Sequence, residues 1–312
     1  MTVPKYEDRG PVDCSAPPDL AQLKDKSVIV TGGCSGIGRS YVDALLGAGA
    51  FVTVGDLNEA EGSQLVSQFP GQAAFVKCDV TSWDDQVQLF ETAMSKSPAK
   101  SCDIVMANAG VSGLDDVFDL DDPSGPPVKP NLRIVNINLI GVLYTVKLAM
   151  HYFRKSPVDE HRDRCLILQG STAAYVDQPG TPQYSASKFG VRGLMRSLRR
   201  TSWMQDVRVN FLCPWFTKTP IMSEEVIQRL EKLNLDFATL EDAGRAALRI
   251  ASDKTMNGRA IVILPRKFAP EGFIDVARDD LKAPDPRAIW QSETLRVSHR
   301  VAEAEGHKKA AG

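Results

Sequence analysis

The feature that most restricts this chain is a repeated switch between short apolar runs and longer amphipathic segments. From Ser27 onward the runs are Val28–Val30, Phe51–Val54, Ala73–Val76, Ile104–Ala107, Cys165–Leu168, Val207–Leu212 and Ala260–Leu264. They are rich in Val and Ile and do not clearly alternate apolar with polar residues, so each predicts a strand buried on both faces. Between them lie segments such as Ile37–Ala48, Trp83–Lys96, Leu132–Lys155 and Tyr184–Trp203, with apolar residues at three and four spacings. Strand–helix alternation predicts a parallel sheet with helices on both faces. Right-handed crossovers then make it a Rossmann-type, doubly wound α/β fold of about seven strands.

No internal repeat and no clean linker interrupts the pattern, which predicts one catalytic domain over residues 23–265. A Pro-rich, irregular arm over residues 1–22 precedes it. A C-terminal extension over residues 266–312 follows, expected to wrap the surface or to fray at its HKKAAG end. Gly113–Pro130 is acidic and Pro-rich and reads as a surface loop.

Composition removes several functions. The 312 residues are 43% apolar, enough for a substantial core, and 37 basic against 39 acidic residues leave a net charge of −2. No basic excess exists to attract nucleic acid. Runs such as Phe51–Val54 and Ala260–Leu264 are too short to cross a bilayer. The N-terminal MTVPKYEDRG has neither an apolar signal core nor a transit-peptide composition, so a cytoplasmic location is expected. Cys14, Cys34, Cys78, Cys102, Cys165 and Cys213 are scattered without a C-x-x-C pair. They read as buried, reduced thiols rather than a metal site or a disulfide frame.

Strand Val28–Val30 runs into Thr31-Gly-Gly-Cys-Ser-Gly-Ile-Gly38 and then into a helix. A phosphate reaches a helix N-terminus closely only where side chains are absent. Gly32 permits the tight turn, Gly36 the close backbone approach and Gly38 the packing of helix on strand, with Ser35 and Ile37 between them. The second strand ends at Gly55-Asp56, eighteen residues after Gly38. A carboxylate there can accept hydrogen bonds from both adenosine ribose hydroxyls and would repel a 2′-phosphate. Leu57 follows Asp56 and Ser35 precedes Gly36, so no basic residue is offered. The expected cofactor is NAD rather than NADP, with Arg39 the one contrary signal.

Asp79, in Cys78-Asp79-Val80, either holds the adenine amino group or caps a helix. Asn108-Ala-Gly110 ends the fourth strand with small residues that let a cofactor lie across the sheet edge.

The fifth strand ends at Gln169-Gly-Ser171. Tyr184 comes thirteen residues later, and Lys188 lies one helical turn beyond it on the same face. A phenol with a pKa near ~10 is a poor base at neutral pH. A nearby ammonium favours its phenolate. Tyr184 can then take a hydroxyl proton while hydride leaves for a nicotinamide, with Ser171 holding the substrate oxygen. Lys188 can also bind the nicotinamide ribose.

Together these motifs resemble the short-chain dehydrogenases/reductases over about Lys24–Leu264. Within that family the chain is similar to fungal members that act on polyketide or other hydrophobic alcohols, and more distantly to 15-hydroxyprostaglandin dehydrogenases. The resemblance adds Asn138, in Asn136-Ile-Asn-Leu-Ile-Gly141, as the asparagine at a helix kink that anchors a proton-passing water. The sequence itself does not separate Asn138 from Asn136. The resemblance also implies that the backbone of Thr217 and the hydroxyl of Thr219 meet the nicotinamide carboxamide. It implies a homodimer or homotetramer pairing through the Tyr184 helix and the Leu132–Lys155 helix.

One departure stands out. The family usually reads Pro-Gly after the sixth strand, and this chain reads Pro214-Trp215-Phe216-Thr217-Lys218-Thr219. Trp215 either lines the substrate pocket or fills core space. The Ile221–Phe237 segment that follows is the family's substrate lid. Its apolar residues point either to a hydrophobic substrate or to an ordinary surface helix packed on the core. Arg192, Arg196, Arg199 and Arg200 form a stripe that reads as a solvated face or subunit contact, or less simply as a site for an anionic partner.

The expected activity is interconversion of a hydrophobic secondary alcohol and its ketone, consistent with fungal secondary metabolism. The alternatives are a non-redox isomerase, dehydratase or cyclase using Tyr184 as acid–base, and a dinucleotide-sensing module, which would tolerate loss of Tyr184 or Lys188.

Overall fold

Every one of the seven apolar runs forms a strand, and the sheet gains an eighth. The computed structural model describes residues 3, 5–117, 120–156 and 163–301. The strands are β1 (Ser27–Thr31), β2 (Phe51–Asp56), β3 (Ala73–Lys77), β4 (Ile104–Ala107), β5 (Arg164–Gln169), β6 (Val207–Pro214), β7 (Ala260–Ile263) and β8 (Phe273–Asp275). They lie in the order β3-β2-β1-β4-β5-β6-β7-β8. All neighbouring pairs are parallel except β7 with β8.

The helices are α1 (Gly36–Gly47), α2 (Glu59–Gln68), α3 (Trp83–Lys96), α4 (Arg133–Val135), α5 (Val142–Lys155), α6 (Pro182–Leu198), α7 (Glu224–Lys232), α8 (Leu240–Ser252) and α9 (Arg287–Val297). β1 shows why its run does not alternate. Val28 and Val30 join the core under α1 and α8, whereas Ile29 joins the core under α3, α5 and α6. Both faces are dry, so both sets of side chains must be apolar. β1 and β4 are neighbours although their connections leave in opposite directions, which opens a crevice at their carboxyl ends.

α4 and α5 are one continuous 23-residue helix, Arg133–Lys155, with a π-helical turn at Asn136–Gly141 between them. By length and composition this helix is apolar enough to cross a membrane, which the short-run reading did not foresee. Its Val142, Val146, Ala149 and Phe153 pack into the sheet's core instead. β8 escaped the sequence reading because it is three residues long and half exposed. It forms because β7 would otherwise leave its backbone edge unpaired. Gly272 starts it at φ +79°, where a Cβ would lie 2.1 Å from Asp242 Cγ.

The two terminal segments are packed against each other. Val3, Tyr6 and Cys14 of the arm are buried. Val12 N–H donates to Asp275 Oδ2 (2.9 Å) and Tyr6 hydroxyl to Asp280 Oδ1 (2.7 Å). The HKKAAG end and residues 118–119 of the acidic loop lie outside the described residues.

The arginine stripe is only partly solvated, because the chain supplies anions to Arg192, Arg196 and Arg199. Arg192 Nε and Arg196 Nη1 reach Asp279 Oδ1 at 2.8 and 3.1 Å. Arg199 is buried and donates to Tyr6 hydroxyl (2.7 Å), Gly258 carbonyl (3.0 Å) and Asp279 carbonyl (2.7 Å). Arg200 stacks on the Tyr6 ring, 4.7 Å from its centroid. A buried guanidinium is tolerable only with such partners. Arg199 Nη2 also lies 3.2 Å from Asp280 Oδ1, so Arg199→Met should leave Asp280 and two carbonyls short of a donor and cost about 2–3 kcal/mol. Urea unfolding measures this; an unchanged midpoint would show that the arm and extension are not tied through Arg199.

Candidate active site

The Gly-rich turn is shaped by what it cannot hold. Gly32 has φ +66°, and a Cβ there would lie 2.8 Å from Ala109 Cα. A Cβ on Gly38 would lie 2.0 Å from Gly32 carbonyl oxygen and 2.5 Å from Asn108 Nδ2. Gly36 has φ +53° and stands against Thr219, 3.0 Å from a built Cβ to Thr219 Cβ. Ser35 is the N-cap of α1, yet its side chain makes no capping bond. The first N–H groups of α1 thus lack intrahelical partners next to a hydroxyl not spent on capping. Ile37 packs partly against the α1–α8 core.

Asn108 Nδ2 donates to Thr31 carbonyl (2.9 Å) and Gly32 carbonyl (3.0 Å), so its amide braces the turn against the end of β4. Asp56 Oδ2 accepts from Cys34 N–H (3.0 Å) and Oδ1 from Asn58 N–H (3.1 Å). The carboxylate therefore also holds the middle of the turn. Burial, with Asp56 alongside, pushes the Cys34 thiol up to about 12.

Asp79 does not cap α3. Ser82 does, accepting from Asp85 N–H, while Asp79 Oδ1 takes Thr81 N–H (2.9 Å) and hydroxyl (2.8 Å). Val80 is buried, and its carbonyl accepts from Gln86 Nε2 at 2.6 Å.

The catalytic candidates converge from separate stretches of chain. Ser171 ends the turn after β5 and caps a 3₁₀ turn at Thr172–Ala174, accepting from Ala173 N–H at 3.1 Å. Tyr184 lies in the first turn of α6. Burial raises its phenol, and the Ser171 hydroxyl facing it draws it back. Lys188 Nζ is 5.5 Å from the Tyr184 ring centroid and donates to Gln169 carbonyl at 3.3 Å. Burial lowers its pKa from 10.5 to about 8. Gly110 closes the group, since a Cβ there would lie 3.2 Å from Asn138 Oδ1 and 3.6 Å from Lys188 Nζ.

The π-helical turn separates the two asparagines that the sequence did not. Asn136 is exposed and Asn138 is fully buried. Asn138 Oδ1 accepts from Val111 N–H (2.8 Å), and its Nδ2 donates to Val111 carbonyl (2.9 Å) and Ser187 hydroxyl (3.3 Å). Gly141 ends the turn because Val80 leaves only 2.9 Å for a Cβ.

Asp115 was missed by sequence reasoning. It is buried in the acidic loop and accepts from Gln183 N–H (2.6 Å) and Nε2 (3.0 Å). It thereby caps α6 from outside, one residue ahead of Tyr184, where Thr181 offers no side-chain cap. No local spacing signals a cap supplied from 68 residues away.

After β6, Trp215 packs with the α1–α8 core, and its Nε1 donates to Asp236 carbonyl at 3.1 Å. Of its two readings, core packing is the one the structure supports. Thr217 is buried, with its hydroxyl on Trp215 carbonyl (3.0 Å) and its backbone bridged to Ala238. Thr219 Oγ1 is buried with no partner among the described residues. α7 buries no residue, so it is not a helix packed on the core. Ile221, Val226 and Leu233 stay exposed. The segment is tethered at its ends by Lys218 with Glu231 and Lys267 with Asp236.

These residues fit a dinucleotide on structural grounds. The three glycines leave a cradle that a Cβ would fill, and Thr219 offers an orphaned hydroxyl beside Gly36. Fold and site define an α/β nucleotide-cofactor oxidoreductase. Residues 26–229 match the family model described as short chain dehydrogenase. The chain belongs to that family, whose members are NAD(P)-dependent oxidoreductases acting on hydroxyl groups. It is 39% identical over 298 residues to a 5′-hydroxyaverantin dehydrogenase of Dothistroma septosporum, covering 89% of this chain and 93% of that protein. It is 34% identical to an NADP-dependent dehydrogenase M3 of a Phoma species, covering 78% of this chain and 76% of that protein. A 3-ketoacyl-(acyl-carrier-protein) reductase from Brucella melitensis complexed with NADH shares the fold, with TM-score 0.67, 22% identity, and 77% and 97% coverage.

Lys188 gives a test of the site's cost. The folded protein binds fewer protons than the unfolded chain between about pH 8 and 10.5. The penalty is therefore full below pH 8 and relieved as pH rises through that window. Lys188→Met should raise stability near pH 7 by about 3 kcal/mol while activity is lost. Calorimetry showing a lower melting temperature for the variant would refute this.

Proposed function

We propose that this enzyme uses NAD to oxidise a largely apolar secondary alcohol to its ketone. The observation that carries the reading is the meeting of the Ser171 hydroxyl, the Tyr184 phenol and the Lys188 ammonium at the sheet's carboxyl rim, beside the glycine cradle. When bound, the nicotinamide supplies the hydride acceptor. The chain's own residues do the rest. Ser171 holds the substrate oxygen, and Tyr184 takes the hydroxyl proton or returns it in the reverse direction. Lys188 keeps a positive charge 5.5 Å from the phenol ring centroid up to about pH 8, and a nearby ammonium favours a phenolate. Asn138 fixes the segment after β4 through both polar groups of Val111. Tyr184→Phe should abolish turnover yet leave NAD affinity intact, by calorimetric titration and by absorbance of reduced nicotinamide with an alcohol panel. Turnover surviving in that variant would remove Tyr184 from the mechanism.

NAD is favoured over NADP because Asp56 ends β2 and Arg39 is already engaged. Arg39 donates to Asp43 Oδ1 (2.7 Å) and Gln68 Oε1 (3.2 Å). In this reading Asp79 and Val80 border the adenine, and Thr217 and Thr219 the carboxamide. Asp56→Ala should narrow the ratio of kcat/KM for NAD over NADP by about tenfold or more, since it removes a charge repulsion at contact range. An unchanged ratio would separate Asp56 from the ribose.

An apolar substrate agrees with the surface left around the rim. Leu114 and Val117 are exposed on the segment between β4 and α4, Val176 on the segment that leads into α6, and Ile221 and Val226 on the tethered segment after β6. The hydroxyaverantin dehydrogenase likeness points the same way. A homo-oligomer pairing through α5 and α6 is supported by exposed Leu143 and Phe189 on these helices. No observation favours a non-redox reaction.

A further inference from the structure

We infer that Asp279, in the C-terminal extension, is a positioning residue for the catalytic group, clamping the Ser171 segment to the Tyr184–Lys188 helix. The inference rests on the function proposed above. The Asp279 carboxylate is almost wholly buried, with 5% of its side chain accessible. It accepts from Tyr175 hydroxyl on Oδ2 (2.5 Å), and from Arg192 Nε (2.8 Å) and Arg196 Nη1 (3.1 Å) on Oδ1. Its own carbonyl accepts from Arg196 and Arg199 at 2.6 and 2.7 Å.

Two catalytic segments meet through these bonds. Tyr175 closes the 3₁₀ turn that Ser171 opens, with Ala174 N–H on Ser171 carbonyl (3.0 Å) and Tyr175 N–H on Thr172 carbonyl (2.8 Å). On the other side, Arg192 lies four residues after Lys188 and eight after Tyr184, on the same side of α6. Arg192 adds a direct link, donating from Nη1 to Ala174 carbonyl (2.9 Å) and stacking 3.9 Å from the Tyr175 ring centroid. The carboxylate bridges two half-buried guanidiniums that would otherwise repel each other. Without it, Arg192 loses the anchor that sets its height against the Ser171 turn. Ser171 and Tyr184 then lose their fixed spacing, while the glycine cradle, on other strands, is untouched.

The test compares Asp279→Ala, Asp279→Asn and Tyr175→Phe with the wild type. Tyr175→Phe removes one hydroxyl and keeps the ring, so it reports even if Asp279→Ala fails to fold. The readouts are kcat and KM for the best alcohol of the panel, Kd for NAD, and backbone hydrogen exchange across residues 171–192. Loss of alignment predicts a kcat about 10- to 100-fold lower in Asp279→Ala, a smaller loss in Asp279→Asn and Tyr175→Phe, and NAD Kd within about twofold. Exchange should quicken over residues 171–181. A folded Asp279→Ala or Tyr175→Phe enzyme with kcat within about twofold of wild type overturns the inference. So does parallel loss of NAD affinity, which would mean general destabilisation. If the wild type oxidises no alcohol, the function proposed above fails separately. Exchange then decides the clamp, and unchanged protection over residues 171–192 in Asp279→Ala overturns it.

Discussion

A parallel sheet buried on both faces leaves its interior no place for chemistry, and the rest of the molecule follows from that. Backbone groups inside the ladder are paired, and the side chains above and below β1, β4, β5 and β6 are dry. Some polar groups that do enter are matched, as with Tyr41 hydroxyl on Gln169 (2.9 Å) and Thr145 hydroxyl on Gln86 (2.7 Å), whereas the hydroxyls of Ser27 and Thr53 have no partner among the described residues. Away from the two edge strands, free backbone donors occur where strands end. The reversal of winding between β1 and β4 makes one such end a crevice. Gly32, Gly38 and Asn108 pull the two strand ends together so tightly that no side chain fits between them.

The site is held against the preferences of its own groups. An ammonium with 4% exposure, and one backbone carbonyl at 3.3 Å, is poorly compensated. A phenol raised by burial is the wrong base until positive charge is placed near it. Lys188 and Tyr184 share one helical face, and Ser171 stands opposite at the end of β5. Rigid support is therefore worth more here than elsewhere in the fold. Asp115 caps the front of α6, Asn138 fixes the segment after β4, and the extension braces the back. Trp215 extends the same logic after β6, where an indole in place of a small residue bolts the turn to Asp236.

The arm and the extension enter the structure through charge. Asp8, Asp275, Asp279 and Asp280 come from these segments, and Arg192, Arg196, Arg199 and Arg259 from the sheet and α6. Such pairs add little net stability over apolar packing, but breaking one member strands the other. That asymmetry specifies a single docking of the two termini. The stripe of arginines that reads in the sequence as a solvated face or subunit contact is the receiving half of that contact.

What the sequence determined by itself is whatever depends on neighbours a few residues apart. Seven strands were legible because both-face burial writes a continuous apolar run. The glycine turn was legible because each glycine answers a local steric demand, and Tyr184 with Lys188 because four residues make one helical turn. Asp56 could be placed from the end of its strand. The tertiary structure alone decided which asparagine turns inward, since a π-helical turn shifts Asn138 rather than Asn136 into the core. It alone brought Asp115 to α6 across 68 residues and Asp279 to Tyr175 across 104, and paired three-residue β8 with an exposed edge. Local periodicity encodes which face a residue presents. It carries no record of which distant carboxylate will be driven out of water to meet it.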